Sequence, residues 1–263
     1  MTAGAALLAA CGKDDVVPPN DAKGQGRFEY GDDPSQFGEL SLPSGTPRGV
    51  VVVIHGGFWK SAYDLSLGRP LAASLVEQGW AAWNIEYRRV GDGGGYPTTF
   101  DDVAAAIDKL ADLDVDTSTV VTLGHSAGGH LAVWAAGRGK YDDWPPNVEV
   151  TGAISQAGVL DLVGASEQGL GDGAVEALLG HAATVADEPV DPLAQVPLAV
   201  PVFCVHGTGD TIVPIVQSEA YVAAAVGRGA EAELVQVEGD HFVVIDVDSE
   251  AWQTQLGLLD RLG

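Results

Sequence analysis

The sequence predicts an α/β fold, a mostly parallel central sheet flanked by helices, and three observations carry that expectation. Apolar runs alternate with helical patterns along most of the 263 residues. The run Val50-Val51-Val52-Val53-Ile54 is apolar without alternation, as in a strand buried on both faces of a parallel sheet. A third run, Val120-Val121-Thr122-Leu123, passes through Gly124-His125-Ser126-Ala127-Gly128 straight into an Ala-rich helical pattern. That is a strand, a sharp turn and a helix, the context in which Gly-x-Ser-x-Gly forms a nucleophile elbow.

Taken from the N-terminus, residues 3–10 are small and apolar, and Leu8-Ala9-Ala10-Cys11 resembles the lipobox of bacterial lipoproteins. In such proteins the cysteine is lipidated after the signal segment is cleaved. The polar, Pro/Asp/Gly-rich stretch from Gly12 to Gly26 has the composition of a flexible tether. The resemblance implies a signal-like segment with tether over 1–26 and an extracytoplasmic protein anchored to a membrane through Cys11. No Lys or Arg precedes the apolar stretch, whereas signal peptides open with positive charge, so a cytoplasmic N-terminus is the alternative.

The folded domain is expected over 27–263. Short strands fall near 28–30 and 37–40, then strands at 48–54 and 80–86 with a helix at 71–78 between them, stopped by Gly79. A glycine loop at 91–97 precedes a helix at 100–110, whose first turn carries Asp101 and Asp102 against the helix dipole. Beyond the elbow, strands are expected at 149–155, 200–206 and 233–237, and helices at 216–226 and 250–262. Such alternation requires right-handed crossovers in a parallel sheet. Between the strands near 155 and 200 lies an insertion with one short amphipathic piece, 175–179. It has the length of a small lid over the elbow, at about 158–190.

Composition narrows the function. Lys and Arg number 13 against 37 Asp and Glu, a net charge of −24. Such a surface repels phosphate backbones, which argues against nucleic-acid partners. There are two cysteines and no disulfide framework. Cys204 sits in Val202-Phe203-Cys204-Val205, a buried-strand pattern in which a thiol is inert. No His/Cys/carboxylate cluster has metal-ligand spacing, and the 91–95 glycines lack the strand and helix of a nucleotide loop, so no cofactor or metal is expected.

The elbow glycines have a steric reason, because Gly124 and Gly128 must pass close to each other and to the adjacent strand. The turn lifts the Ser126 hydroxyl above the sheet and aims the first, unpaired N–H groups of the helix at the same point. Serine becomes nucleophilic only beside a base that a third group orients. Loops at the carboxyl ends of parallel strands converge on one crevice. Two of them offer what is missing: His206-Gly207-Thr208-Gly209-Asp210 and Glu238-Gly239-Asp240-His241-Phe242. The order Ser126, Asp210, His241 is that of α/β-hydrolases. Asp161 competes with Asp210 for the acid.

In these motifs, together with Val213-Pro214, the sequence resembles the α/β-hydrolase superfamily, in the esterase/lipase branch that includes carboxylesterases, feruloyl-esterase-like and kynurenine-formamidase-like proteins. The resemblance covers roughly 27–263 and implies the α/β-hydrolase fold with a small lid insertion. By it, Ser126 is the nucleophile, His241 the base and then acid, and Asp210 the orienting carboxylate. His55-Gly56-Gly57-Phe58-Trp59 resembles the oxyanion loop of the same branch, implying N–H donors at Gly57, Phe58 and Ala127. Many branch members have a third glycine where Phe58 stands, and formamidase-like members have an aromatic pair. Phe58 and Trp59 are therefore candidates for the substrate wall, with packing beneath the loop as the other reading for Trp59.

The remaining histidines have plainer roles. His125 and His130 share the elbow turn and point away from a base's position. His55 and His206 end strands and hold loops, and His181 lies exposed in the insertion. Glu238 and Asp240 read as solvated turn residues. The implied activity is hydrolysis of a small carboxylic ester through an acyl-enzyme. An arylformamide is the alternative substrate, and a non-catalytic binding protein on a hydrolase scaffold is the alternative class.

Overall fold

A computed structural model describes residues 24–263; Cys11 lies outside the described residues. β1 (Gly26–Glu29) and β2 (Phe37–Ser41) form an antiparallel edge, and β2 pairs antiparallel with β4 (Ala81–Ile85). From β4 inward, β3 (Val50–Ile54), β5 (Val120–His125), β6 (Gly152–Gln156), β7 (Val202–Gly207) and β8 (Ala232–Val237) are parallel neighbours. The resulting order, β1-β2-β4-β3-β5-β6-β7-β8, places the elbow strand β5 near the centre. The expected mostly parallel sheet flanked by helices is therefore present.

Strand β3 shows why its valines do not alternate. Val50, Val52 and Ile54 join a core with α2 (Thr98–Asp108) and α3 (Ala127–Gly137), while Val51 and Val53 join one with α1 (Arg69–Glu77) and α8 (Glu250–Leu259). Successive side chains face opposite layers, and both layers are dry. Each buried valine contributes about 1.5–3 kcal/mol relative to exposure. The layer of α2 and α3 continues under α7 (Val216–Gly227) through Tyr221 and Ala225, which pack on Val202 and Cys204 of β7.

Most element boundaries shift by a few residues, and two departures have local reasons. The helix expected over 100–110 begins at Thr98, just after Pro97, and passes at Lys109 into a 3₁₀ turn. The insertion holds more helix than its apolar pattern suggested: α4 (Leu162–Glu167), α5 (Leu170–Leu179) and α6 (Pro192–Gln195). Side-chain caps set two of them. Asp161 accepts from the Gly164 N–H and Asp191 from the Leu193 N–H, the latter just before Pro192. Among the described residues no helix is long and apolar enough to cross a membrane.

Candidate active site

Between β5 and α3, Ser126 has φ 55° and ψ −118°, a region costly for a residue with a Cβ. The surrounding structure holds it there. Its N–H donates to Gln156 O at 2.8 Å, and its carbonyl accepts the first bond of α3 from His130 at 3.1 Å. A Cβ on Gly124 would lie 2.1 Å from Gly128 O, and one on Gly128 would lie 2.1 Å from Ile54 O. Both elbow glycines are thus required by backbone approach.

Ser126 and His241 share the wall of one cavity of about 140 Å³. His241 stands on the loop after β8, and Asp210 on the loop after β7. The two loops lock together: Thr208 N–H donates to Val237 O and Gly209 N–H to Gly239 O, both at 2.8 Å. A Cβ on Gly207 would strike Asp240 O at 2.4 Å. The lock sets His241 Nδ1 at 2.6 Å from Asp210 Oδ2.

Asp210 is fully enclosed, its side chain 0% exposed. Burial alone would raise its pKa, but bonds from His206, His241 and the Val213 N–H outweigh it and hold the carboxyl well below the usual range. Its Oδ1 accepts from Ile212 and Val213 N–H at 2.8 and 2.9 Å. An ionised Asp210 at Nδ1 fixes the proton there and leaves Nε2 of His241 with its lone pair. A second histidine also reaches this carboxylate. His206 Nε2 lies 2.9 Å from Val213 O and 3.2 Å from Asp210 Oδ2, and Ser218 Oγ faces its Nδ1 at 2.8 Å. Because Val213 O only accepts, His206 carries its proton on Nε2 and donates toward Asp210. The sequence assigned His206 to loop-holding; its approach to Asp210 depends on the fold of the loop between them.

Asp161, the competing acid, caps α4 and reaches no histidine among the described contacts. His125 Nε2 donates to His241 O at 3.0 Å, and its pKa is driven to about 3 by burial first and the neighbouring His241 second. It is neutral and engaged. His130 donates to Val190 O at 2.8 Å, with its pKa lowered to about 4 by burial. His55 lies between Gly56 O at 2.8 Å and Glu86 at 3.0 Å, under the oxyanion-type loop. His181 pairs with Asp187 at the surface, and Glu238 and Asp240 are exposed. Burial raises the Cys204 thiol pKa to about 12, as befits a core residue.

The loop from His55 to Trp59 runs beside the elbow, where a Cβ on Gly56 would lie 3.2 Å from Ser126 Cβ. Among the described residues, the N–H groups of Gly57, Phe58 and Ala127 have no hydrogen-bond partner. Donors left open beside a serine suit a developing oxyanion. Phe58 lines the cavity with Gly57. Trp59 does not reach the cavity: it is 1% exposed, its ring edge-on to His130 at 5.3 Å. Phe58 and Trp59 both have φ 56°, which turns successive side chains to opposite surroundings.

The cavity has further walls that the sequence reading missed: Tyr63, Leu67, Ile212, Phe242 and Ile245. Ile212 and Phe242 adjoin Asp210 and His241 in sequence, a signal available in principle. Tyr63 and Leu67 have none; Tyr63 arrives by packing against Gly57, where a Cβ would lie 2.4 Å from its ring. None of the described lining residues belongs to the 158–190 insertion. A larger cavity, about 280 Å³, lies at the far end of α3 beside Arg138 and Lys140. Arg138 is bound there to Asp108, and no serine, threonine or cysteine is among the described residues that border it. Among the described residues no cluster of His, Cys, Asp and Glu can hold a metal ion.

Sheet order, strand–elbow–helix and the Asp–His pair on two adjoining loops define an α/β-hydrolase. More narrowly, residues 40–224 match the BD-FAE family, and the chain belongs to it. Esterase LipQ of Mycobacterium tuberculosis is 30% identical over 207 residues, covering 72% of this chain and 48% of that protein. Esterase LipC of the same organism is 27% identical over 218 residues, 74% of this chain and 53% of that one. The chain thus spans about half the length of these relatives. Among solved structures, Est2 of Thermogutta terrifontis with butyrate bound superposes with TM-score 0.71 at 25% identity, covering 90% of this chain and 92% of that one.

Proposed function

We propose that this chain is a serine hydrolase that cleaves small, uncharged carboxylic esters through an acyl-enzyme. One observation carries the reading: a carboxylate-oriented histidine shares a cavity wall with a serine held at positive φ beside unengaged N–H groups. In this mechanism Nε2 of His241 takes the Ser126 proton as Oγ adds to the ester carbonyl. The N–H groups of Ala127 and Gly57, with Phe58, take the oxyanion's charge. Collapse expels the alcohol, which receives the proton from His241, and water then repeats the sequence to release the acid.

The preference for uncharged substrates follows from the lining, which among the described residues holds no Lys or Arg. The nearby Lys60 is bonded to Gly171 O and Arg89 to Tyr63 O. A net charge of −24 further disfavours anions. N-Formylkynurenine, the arylformamide expected from the loop resemblance, carries a carboxylate that would find no partner here. With the full chain, p-nitrophenyl acetate and butyrate should be turned over with kcat/KM well above that of N-formylkynurenine. A higher value for the formamide would replace the ester reading, and no turnover of either would favour a binding protein on a hydrolase scaffold.

Acyl length should be short. The cavity is small, Phe58 occupies the side next to the oxyanion donors, and a structural neighbour is described with butyrate bound. Each methylene without room forfeits about 0.8 kcal/mol of burial. Phe58→Gly keeps the backbone N–H and suits φ 56°, so it should widen the wall without removing the donor. The decanoyl-to-acetyl ratio of kcat/KM should rise at least tenfold in that variant. An unmoved ratio, or a wild type that prefers decanoate, places the acyl group elsewhere.

We also propose that Cys11 carries a lipid anchor, on the strength of Leu8-Ala9-Ala10-Cys11 and the tether composition after it. Expressed in a bacterium with its native N-terminal region, the protein should sediment with membranes and Cys11→Ser should release it. A wild type found entirely in the cytoplasmic fraction rejects the anchor.

A further inference from the structure

We propose that Lys60 and Gly171 are positioning residues: the insertion braces the oxyanion-type loop from behind, and this brace fixes the backbone donors of Gly57 and Phe58 and the wall that Phe58 forms. The inference rests on the serine-hydrolase reading above. The loop's conformation motivates it. Gly57, Phe58 and Trp59 have φ of 113°, 56° and 56°, three consecutive residues in the left-handed region. Two of them carry aromatic side chains, so nothing in their own preferences holds them there. The loop therefore needs support from its neighbours.

On one side that support is visible in β-like bonds: Val90 N–H donates to Trp59 O at 2.8 Å and Ser61 N–H to Val90 O at 3.0 Å. On the other side lies the start of α5. There Gly171, Asp172 and Gly173 have φ of 63°, 57° and 78° with ψ of 33°, 47° and 32°, a left-handed turn inside the helix. The carbonyl of Gly171, in this turn, accepts from Lys60, whose Nζ donates to it at 3.1 Å. The same ammonium sits 5.4 Å from the centroid of the Phe58 ring, within cation–π range.

Gly171 serves the contact in a second way. A Cβ there would fall 2.4 Å from Phe58 Cδ1 and 2.6 Å from Cε1. Phe58 thus rests on bare backbone, with Lys60 tying that backbone to the loop. The insertion contributes no described residue to the cavity lining, yet it touches the loop that does. Its role is that of a brace, and the donors it fixes act only when the oxyanion forms. Loss of the brace should therefore lower kcat more than it raises KM.

The test uses the full chain with Lys60→Met, Lys60→Arg and Gly171→Ala, with His181→Ala as a control elsewhere in the insertion. Turnover of p-nitrophenyl butyrate and amide hydrogen exchange are read in parallel. Lys60→Met should lower kcat about tenfold with KM within twofold, and Lys60→Arg should restore most of it. Exchange should accelerate at the Lys60, Ser61 and Val90 amides and stay unchanged across β5–β7. Gly171→Ala should produce the same pattern by displacing Phe58, and His181→Ala should match wild type. The brace is overturned if Lys60→Met matches wild type in both readouts, if KM rises while kcat holds, or if exchange rises uniformly. The exchange data separate the two hypotheses. A wild type without esterase activity sinks the hydrolase reading, while faster local exchange in Lys60→Met would still support the brace.

Discussion

Ser126→Ala should abolish ester turnover, lowering kcat on the order of 10⁴–10⁶-fold, and should leave the thermal midpoint within a few degrees of wild type. The size of the first effect follows from the mechanism. Without Oγ there is no covalent intermediate, and what remains is binding and oxyanion donation to a substrate that water must attack unaided. The smallness of the second follows from what Oγ does in the fold. Among the described residues it makes no hydrogen bond, whereas the backbone bonds to Gln156 and from His130 survive the change. Alanine also tolerates or suffers φ 55° much as serine does, so strain is nearly unchanged. Kinetics with p-nitrophenyl butyrate and a melting curve on the same preparation decide it. Turnover within tenfold of wild type would mean that another group attacks and that the elbow is only a packing turn.

Much of this site was legible because its chemistry is written into contiguous residues. Gly124 and Gly128 announce a close approach that the structure resolves into collisions with Gly128 O and Ile54 O. Asp210 follows β7, whose unbroken apolar run marks it as parallel and buried, while His241 follows the edge strand β8, where Glu233 and Gln236 interrupt the pattern, and the fold places the two strand ends together. The insertion was harder. Its glycines carry no local sign of their role: Gly171 and Gly173 lie in a left-handed turn, and Gly171 packs against Phe58, more than a hundred residues away. Trp59 shows the same limit. Adjacent to Phe58 in sequence, it is separated from the cavity by a backbone twist that no periodicity encodes. Tyr63 lines the cavity only because Gly57 has no side chain to hold it off. Contacts that depend on tertiary approach leave no local pattern to read.

Asp210→Asn separates the two candidate acids and should cost about 10⁴-fold in kcat. The carboxylate now accepts from every neighbour: Ile212 and Val213 N–H at Oδ1, His241 and His206 at Oδ2. An asparagine offers one acceptor and one donor to that all-donor ring. With its NH₂ toward His241 it donates to Nδ1, which drives the ring proton to Nε2 and removes the lone pair that should face Ser126. In the same orientation the NH₂ confronts the Nε2–H of His206, which Val213 O holds in that tautomer. Flipping the amide only moves the clash to the two backbone N–H groups. A buried, unmatched donor costs about 1–3 kcal/mol, so the variant should also melt earlier, and activity should be read well below its midpoint. Asp161→Asn supplies the contrast. Asparagine caps a helix as well as aspartate does, so the bond to the Gly164 N–H persists and kcat should stay within about twofold. If Asp161→Asn proves the more damaging of the two at matched folded fraction, the carboxylate that orients His241 during catalysis is not Asp210.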